Sequence, residues 1–101
     1  MNQAQLMQQM RKMQQEMARV QEELANTVVE GSASGGLVTV GITGESQVKK
    51  VTIKPDAVDP DDIETLEDLI VVAFNDAIGK VQQLSAAKMG AVTGGLKIPG
   101  M

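Results

Sequence analysis

Residues 37–54, LVTVGITGESQVKKVTIK, decide the fold of this chain. Val38, Val40 and Ile42 alternate with small or polar residues, so they share one side of an extended segment. Gly44-Glu45 interrupts the pattern, and Val48–Lys54 resumes it with Val51 and Ile53 at the inward parity and Lys50, Thr52 and Lys54 opposite. Upstream, Thr27–Val29 are β-formers and Ser34-Gly35-Gly36 supplies a flexible turn. The pattern predicts three short strands, at about residues 27–33, 37–43 and 48–54, in an antiparallel meander with one apolar and one wet face.

A different period flanks the meander on both sides. From about Gln3 to Ala25 the chain is rich in Gln, Glu, Met and Ala and free of Gly and Pro, which predicts a helix over 3–25. Leu6, Met10, Met13, Met17, Val20 and Leu24 recur at alternating steps of four and three, the apolar seam of a coiled coil. The chain's own second helix or a second copy of the chain is expected to cover that seam. Lys12 and Glu16, and likewise Arg19 and Glu23, stand at i,i+4 on the outer face.

Pro55 stops the third strand, and Asp59-Pro60-Asp61-Asp62 opens a second helix, with Asp59 expected as N-cap and Pro60 at the first helical position. This helix is expected to span about 60–89, with Gly90 available to cap it. Ile63, Leu66, Ile70, Ala73, Ala77, Val81 and Leu84 form one stripe, which Leu69, Val72 and Phe74 broaden. So wide an apolar girth predicts contact with the sheet and with something else as well. Gly79, inside the helix, reads equally as a point of close approach or as a weak point. Residues 90–101, with Gly94-Gly95 and Pro99-Gly100, make a Gly/Pro tail in which Leu96 and Ile98 are candidate anchors. The whole, 1–101, is expected to be one domain of the α+β class: two long helices around a three-stranded antiparallel sheet.

Composition narrows the function. With no Cys and no His, the chain lacks thiolate nucleophiles, imidazole bases and the usual zinc ligands. Its carboxylates gather at a helix start, where capping and solvation account for them, and its Gly pairs complete no phosphate-binding loop. No enzymatic activity, cofactor or metal is expected. A single aromatic residue, Phe74, excludes the stacking platforms of single-strand binders. The apolar run Leu69–Phe74 is far too short to cross a bilayer, so no membrane partner is expected and a soluble cytoplasmic protein is the default.

The net charge of −4 argues at first sight against a phosphate-bearing partner. The charge is unevenly spread, however: residues 56–68 hold seven acids and no base, while residues 46–54 carry Lys49, Lys50 and Lys54 and no acid. Arg11, Lys12 and Arg19 lie on the outer face of the first helix. These two basic groups are the material for binding a duplex by charge and shape, and their bland reading is solubilising surface. A two-fold assembly would duplicate each patch.

The segments LMQQMRKMQQEMARVQEELA, VEGSASGGLVTVGITGESQVKKVTI, VDPDDIETLEDLIVVAFNDAI and TGGLKIPGM together resemble the YbaB/EbfC family of nucleoid-associated DNA-binding proteins. The resemblance implies an α-β-β-β-α protomer and a tweezer-like homodimer that binds double-stranded DNA in the bacterial nucleoid, with roles in DNA organisation or gene regulation. It adds Lys88 to Arg11, Lys12, Arg19, Lys49 and Lys50 as candidate DNA contacts. For packing within the protomer or the dimer, the candidates are Leu6, Met10, Met13, Met17, Val20, Leu24, Leu69, Val72 and Phe74. The rival expectation is a dimeric structural or protein-binding module with little affinity for DNA.

Overall fold

The alternation of residues 37–54 is realised around a central strand. A computed structural model describes residues 2–94, in the order α1 (Gln3–Asn26), β1 (Val28–Ala33), β2 (Val38–Thr43), β3 (Val48–Ile53), a 3-10 turn (Pro55–Ala57) and α2 (Ile63–Gly94). The sheet is antiparallel in the order β1-β2-β3. Val38, Val40 and Ile42 of β2 are fully buried, and with Ala33, Ala57, Ala73, Ala77 and Val81 they make the core between sheet and α2. Leu66, Leu69, Ile70 and Phe74 close around it, so the α2 stripe faces the sheet as the periodicity predicts.

Small residues set how closely α2 approaches. Gly31 on β1 lies against Ala73 and Ala77, and a Cβ there would sit 2.3 Å from both the Ala73 carbonyl oxygen and the Ala77 amide nitrogen. The strand and helix backbones are therefore in direct contact at this crossing. Gly44 plays the same part at the root of α1: its N–H donates to the Leu24 carbonyl at 2.8 Å, and a Cβ would meet Leu24 at 2.7–2.8 Å. The two helices thus reach the sheet through positions that tolerate no side chain.

The start of α2 differs from the sequence expectation. Asp59 and Pro60 form a turn before the helix, in which the Asp59 carboxylate accepts from the Asp61 N–H. Asp62 precedes the first helical residue and accepts from both the N–H and the hydroxyl of Thr65 at 3.2 and 2.6 Å. Both aspartates are competent caps, and Thr65 decides between them by giving Asp62 a second donor. At the other end α2 runs through Gly90 to Gly94, so Gly90 is not its cap. The expected tail anchors, Leu96 and Ile98, lie outside the described residues.

A second correction concerns β3. A bulge between Gly41 and Ile42 pairs Gly41 with Lys50 but Ile42 with Val48, leaving Lys49 as the extra residue. Val48 is thereby brought onto the face of Val51 and Ile53, which the unbroken alternation would have denied it. That face is shared with the core residues of β2, yet β3 is exposed along its whole length. The reason is that α2 lies across β1 and β2 and stops short of β3. The inward parity of Val51 and Ile53 is real, but nothing among the described residues covers it.

The molecule is elongated, 70 × 27 × 17 Å with a radius of gyration of 19.6 Å. A compact chain of this size would have a radius of about 13 Å. The excess comes from α1, whose first half leaves the sheet behind. Of its seam, Val20 and Leu24 are buried and Met17 is half-buried, whereas Leu6, Met10 and Met13 stand exposed, Met10 by 56%.

Candidate nucleic-acid interface

The Asn2 carboxamide caps α1 by accepting from the Gln5 N–H at 2.9 Å, and the unbroken helix behind it carries every candidate cation of the N-terminal region. Arg11 and Lys12 lie on its projecting part, exposed and without an ion pair among the described residues. They are separated from Arg19 by about 12 Å of helix.

Arg19 is placed quite differently. One of its terminal nitrogens contacts Glu23 Oε1 at 2.5 Å and the other contacts Glu16 Oε2 at 2.7 Å. Glu23 uses its second oxygen for Lys88 Nζ at 2.9 Å, so α1 and α2 are joined by an ion pair between residues 65 apart in the chain. The hydrogen bond to Glu16 and the two neighbouring carboxylates raise the Arg19 pKa further above its usual value. The hydrogen bond from Lys88 and its charge, with help from Arg19, hold the Glu23 carboxyl below the usual range against the cost of desolvation. Packing of α1 against α2 thus unites Arg19 and Lys88 in one network through Glu23, while Glu16 pairs with Arg19 instead of the expected Lys12.

The sheet lysines occupy the root of this arm. Gly44, in the β2–β3 turn, rests on Leu24, so β3 begins beside the end of α1. Lys49 is the bulge residue, and Lys50, opposite Gly41, lies on the wet face away from α2. Both are exposed. The six candidate DNA contacts therefore fall into three groups: Arg11 and Lys12 on the arm, Arg19 and Lys88 in the network, and Lys49 and Lys50 at the sheet.

The packing candidates divide as well. Leu69 and Phe74 pack on the core, but Val72 is exposed on α2. Sequence reading missed Val71 and Ile78, which are exposed on the same helix, and Val48 on β3. With about 100° between successive helical residues, Phe74, Ile78 and Val71 lie on the flank opposite Asp76 and Lys80. Asp76 and Lys80 face β1: Asp76 accepts from the Ser32 N–H at 2.9 Å and Lys80 donates to the Glu30 carbonyl at 2.8 Å. The flank with Val71 and Ile78 is consequently the one toward β3. An apolar surface made of Val48, Val51 and Ile53 on the sheet and Ile78 and Val71 on the helix is left open to solvent. Its signal in the sequence was the apolar girth of α2, which exceeded what one sheet face could use.

The two edges of the sheet are not alike. Asp76 and Lys80 satisfy outward-pointing backbone groups of β1, and the Ser32 N–H holds the Asp76 carboxyl below its usual range, with Lys80 assisting. Along β3, among the described residues, no element of the protomer pairs with the outer edge. No cluster of metal-ligating side chains occurs among the described residues, and no described helix is long and apolar enough to cross a membrane.

Comparison with known proteins places this architecture. A solved structure of an uncharacterized protein from Helicobacter pylori matches with a TM-score of 0.77 over 96% of this chain and 99% of its own, at 21% identity, which speaks for the fold alone. A nucleoid-associated protein of Chloroflexus aurantiacus is 56% identical over 97 residues, covering 96% of this chain and 97% of the relative. A nucleoid-associated protein of Desulforamulus reducens is 51% identical over 100 residues, covering 99% and 95%. The sequence profile of the YbaB/EbfC DNA-binding family matches residues 1–96, and with relatives this similar over nearly the whole chain, the protein belongs to that family.

Proposed function

We propose that this protein is a nucleoid-associated protein that binds double-stranded DNA as a homodimer, chiefly through phosphate contacts, and serves in nucleoid organisation or gene regulation. The observation that carries the reading is the position of Arg11 and Lys12. They stand on the projecting part of α1, without a carboxylate partner among the described residues, where a rod of helix can lie against a duplex. Lys49 and Lys50 extend the same surface at the root of the arm. Contacts of this kind position a protein on DNA without reading bases, and they weaken steeply as salt rises.

The second copy belongs on the open apolar surface. A β3 edge with no strand partner among the described residues, beside Val48, Val51 and Ile53, offers both backbone hydrogen bonds and apolar area to an identical strand. The covered β1 edge offers neither. Pairing there would shelter Val71 and Ile78 and put two arms on one particle, each with its Arg11 and Lys12. The exposed Leu6, Met10 and Met13 lie on the arms themselves, where apolar contact between helices would steady them.

Light scattering and a titration with duplex DNA at about 50 and 200 mM salt test both parts. The wild type is expected as a dimer that binds more weakly at the higher salt. Val51→Asp with Ile53→Asp should yield monomers, whereas Arg11→Glu with Lys12→Glu should leave a folded dimer that no longer shifts DNA. Unchanged binding by the latter variant would remove the arm from the interface. A dimer indifferent to DNA at low salt would instead favour a protein-binding module.

A further inference from the structure

We propose that Glu16 and Glu23 set a ceiling on DNA affinity by pairing with Arg19 and Lys88, so that a phosphate approaching these two cations competes with carboxylates already in place. This inference rests on the DNA-binding reading and adds two affinity-setting residues to it. Each terminal nitrogen of Arg19 is taken by a different glutamate, and each oxygen of Glu23 by a different cation, at 2.5, 2.7 and 2.9 Å. Two acids and two bases thus close on themselves with no net charge. The network remains reachable: Arg19, Glu23 and Lys88 line a solvent-open hollow of about 380 Å³ with Glu22, Asn26 and Thr27. A phosphate oxygen has room to enter and the chemistry to replace a carboxylate.

The consequence is thermodynamic. A lysine or arginine that is free in the unbound protein neutralises a phosphate and releases a counterion from the DNA. When Arg19 or Lys88 meets a phosphate instead, a glutamate is uncovered and gathers cations from solution. The release and the uptake offset each other, so these two residues add little affinity and little salt dependence. Arg11 and Lys12 have no such competitor among the described residues, which makes the arm the part of the helix that responds fully to salt.

Glu22 supplies the control. It neighbours Glu23, carries the same charge and is exposed, but its carboxylate enters no ion pair among the described residues. Glu22→Gln and Glu23→Gln therefore change net charge equally while differing in what they liberate. Glu16→Gln is a further variant, which frees Arg19 on one side and leaves the Glu23–Lys88 tie between the helices in place.

The experiment is fluorescence anisotropy with a labelled duplex across a salt series, using the full-length wild type and the three single variants, with circular dichroism to confirm folding. Glu23→Gln is expected to bind about five-fold more tightly at low salt, with a plot of log K against log salt steeper by about 0.9 for each additional phosphate neutralised. Glu16→Gln should move the same way by less, and Glu22→Gln should keep the wild-type slope. Equal slopes for Glu22→Gln and Glu23→Gln would reduce the effect to net charge and overturn the inference. A fully folded Glu16→Gln that binds no better than Glu22→Gln would overturn the part assigned to Glu16. Should the wild type bind no duplex at any salt, the DNA-binding reading itself fails and this inference falls with it.

Discussion

Gly31→Ala tests the packing that holds α2 against the sheet. The added methyl carbon would lie 2.3 Å from the Ala73 oxygen and the Ala77 nitrogen, and 2.7 Å from the Ala77 Cα, where ordinary contact begins at 3.4 Å. All three atoms belong to the α2 backbone, so no side chain can rotate away. α2 must retreat by about 1 Å, and a gap of that size forfeits roughly a quarter to a half of each dispersion interaction along the β1–α2 crossing. Overpacking of this kind costs about 1–3 kcal/mol and occasionally more. Against it stands a benefit of roughly 0.5–1 kcal/mol from replacing glycine within a strand. The clash prevails because it involves backbone on both sides, and the middle of that range less the glycine benefit leaves a loss of roughly 1 kcal/mol. For a domain of this size that lowers the melting midpoint by roughly 4–8 °C. Thermal unfolding followed by circular dichroism, at one fixed protein concentration so that association does not shift the midpoint, measures it. A change under about 0.5 kcal/mol, the range of ordinary surface substitutions, would refute the close β1–α2 approach on which the reasoning stands.

Other substitutions separate neighbouring effects. Gly79→Ala meets nothing within 4 Å, so it should raise stability by about 1 kcal/mol through helix propensity, measurable by urea unfolding; a loss would mean that another chain packs at this point. Ser46 holds φ at 65°, and Ser46→Gly should stabilise the β2–β3 turn by up to about 1 kcal/mol in the same assay. Asp76→Ala should lower the midpoint at pH 7 by uncovering the Ser32 N–H. Because the folded carboxyl titrates below its ordinary value of 3.8, the stability it contributes is fully present above that value and is lost as the pH falls through the lower, folded one. Wild type and variant should therefore converge only in acid, and a gap that stays constant down through that range would exclude the carboxylate as its source.

Most of the protomer was legible in its own sequence. Alternating Val38, Val40 and Ile42, helical spacing in residues 3–25 and 63–84, and a proline after the third strand dictate five elements in a fixed order, since local periodicity is a property of neighbours along the chain. The family resemblance rested on the same segments. What periodicity supplies is the face a side chain takes, and whether anything covers that face is a tertiary matter. Val51 and Ile53 sit on the predicted face of β3 and are exposed because α2 ends its sideways reach at β2. The bulge at Lys49 likewise depended on a partner strand, β2, whereas the choice of Asp62 over Asp59 turned on Thr65, three residues along, and was local.

The candidate interface divides along the same line. Sequence alone put Arg11, Lys12 and Arg19 on the outer side of one helix and marked them as equivalents. Arg19 is set apart locally, by Glu16 and Glu23 on its own helix, and folding adds Lys88, which comes from 65 residues beyond Glu23 and reaches the network only when α2 packs against α1. Ion pairing between distant segments leaves no periodic trace in a sequence. The chain by itself determined which residues carry positive charge and which carboxylates stand beside Arg19 on its helix; the tertiary structure decided that Lys88 joins those carboxylates while Arg11 and Lys12 stand on a part of the helix that leaves the sheet.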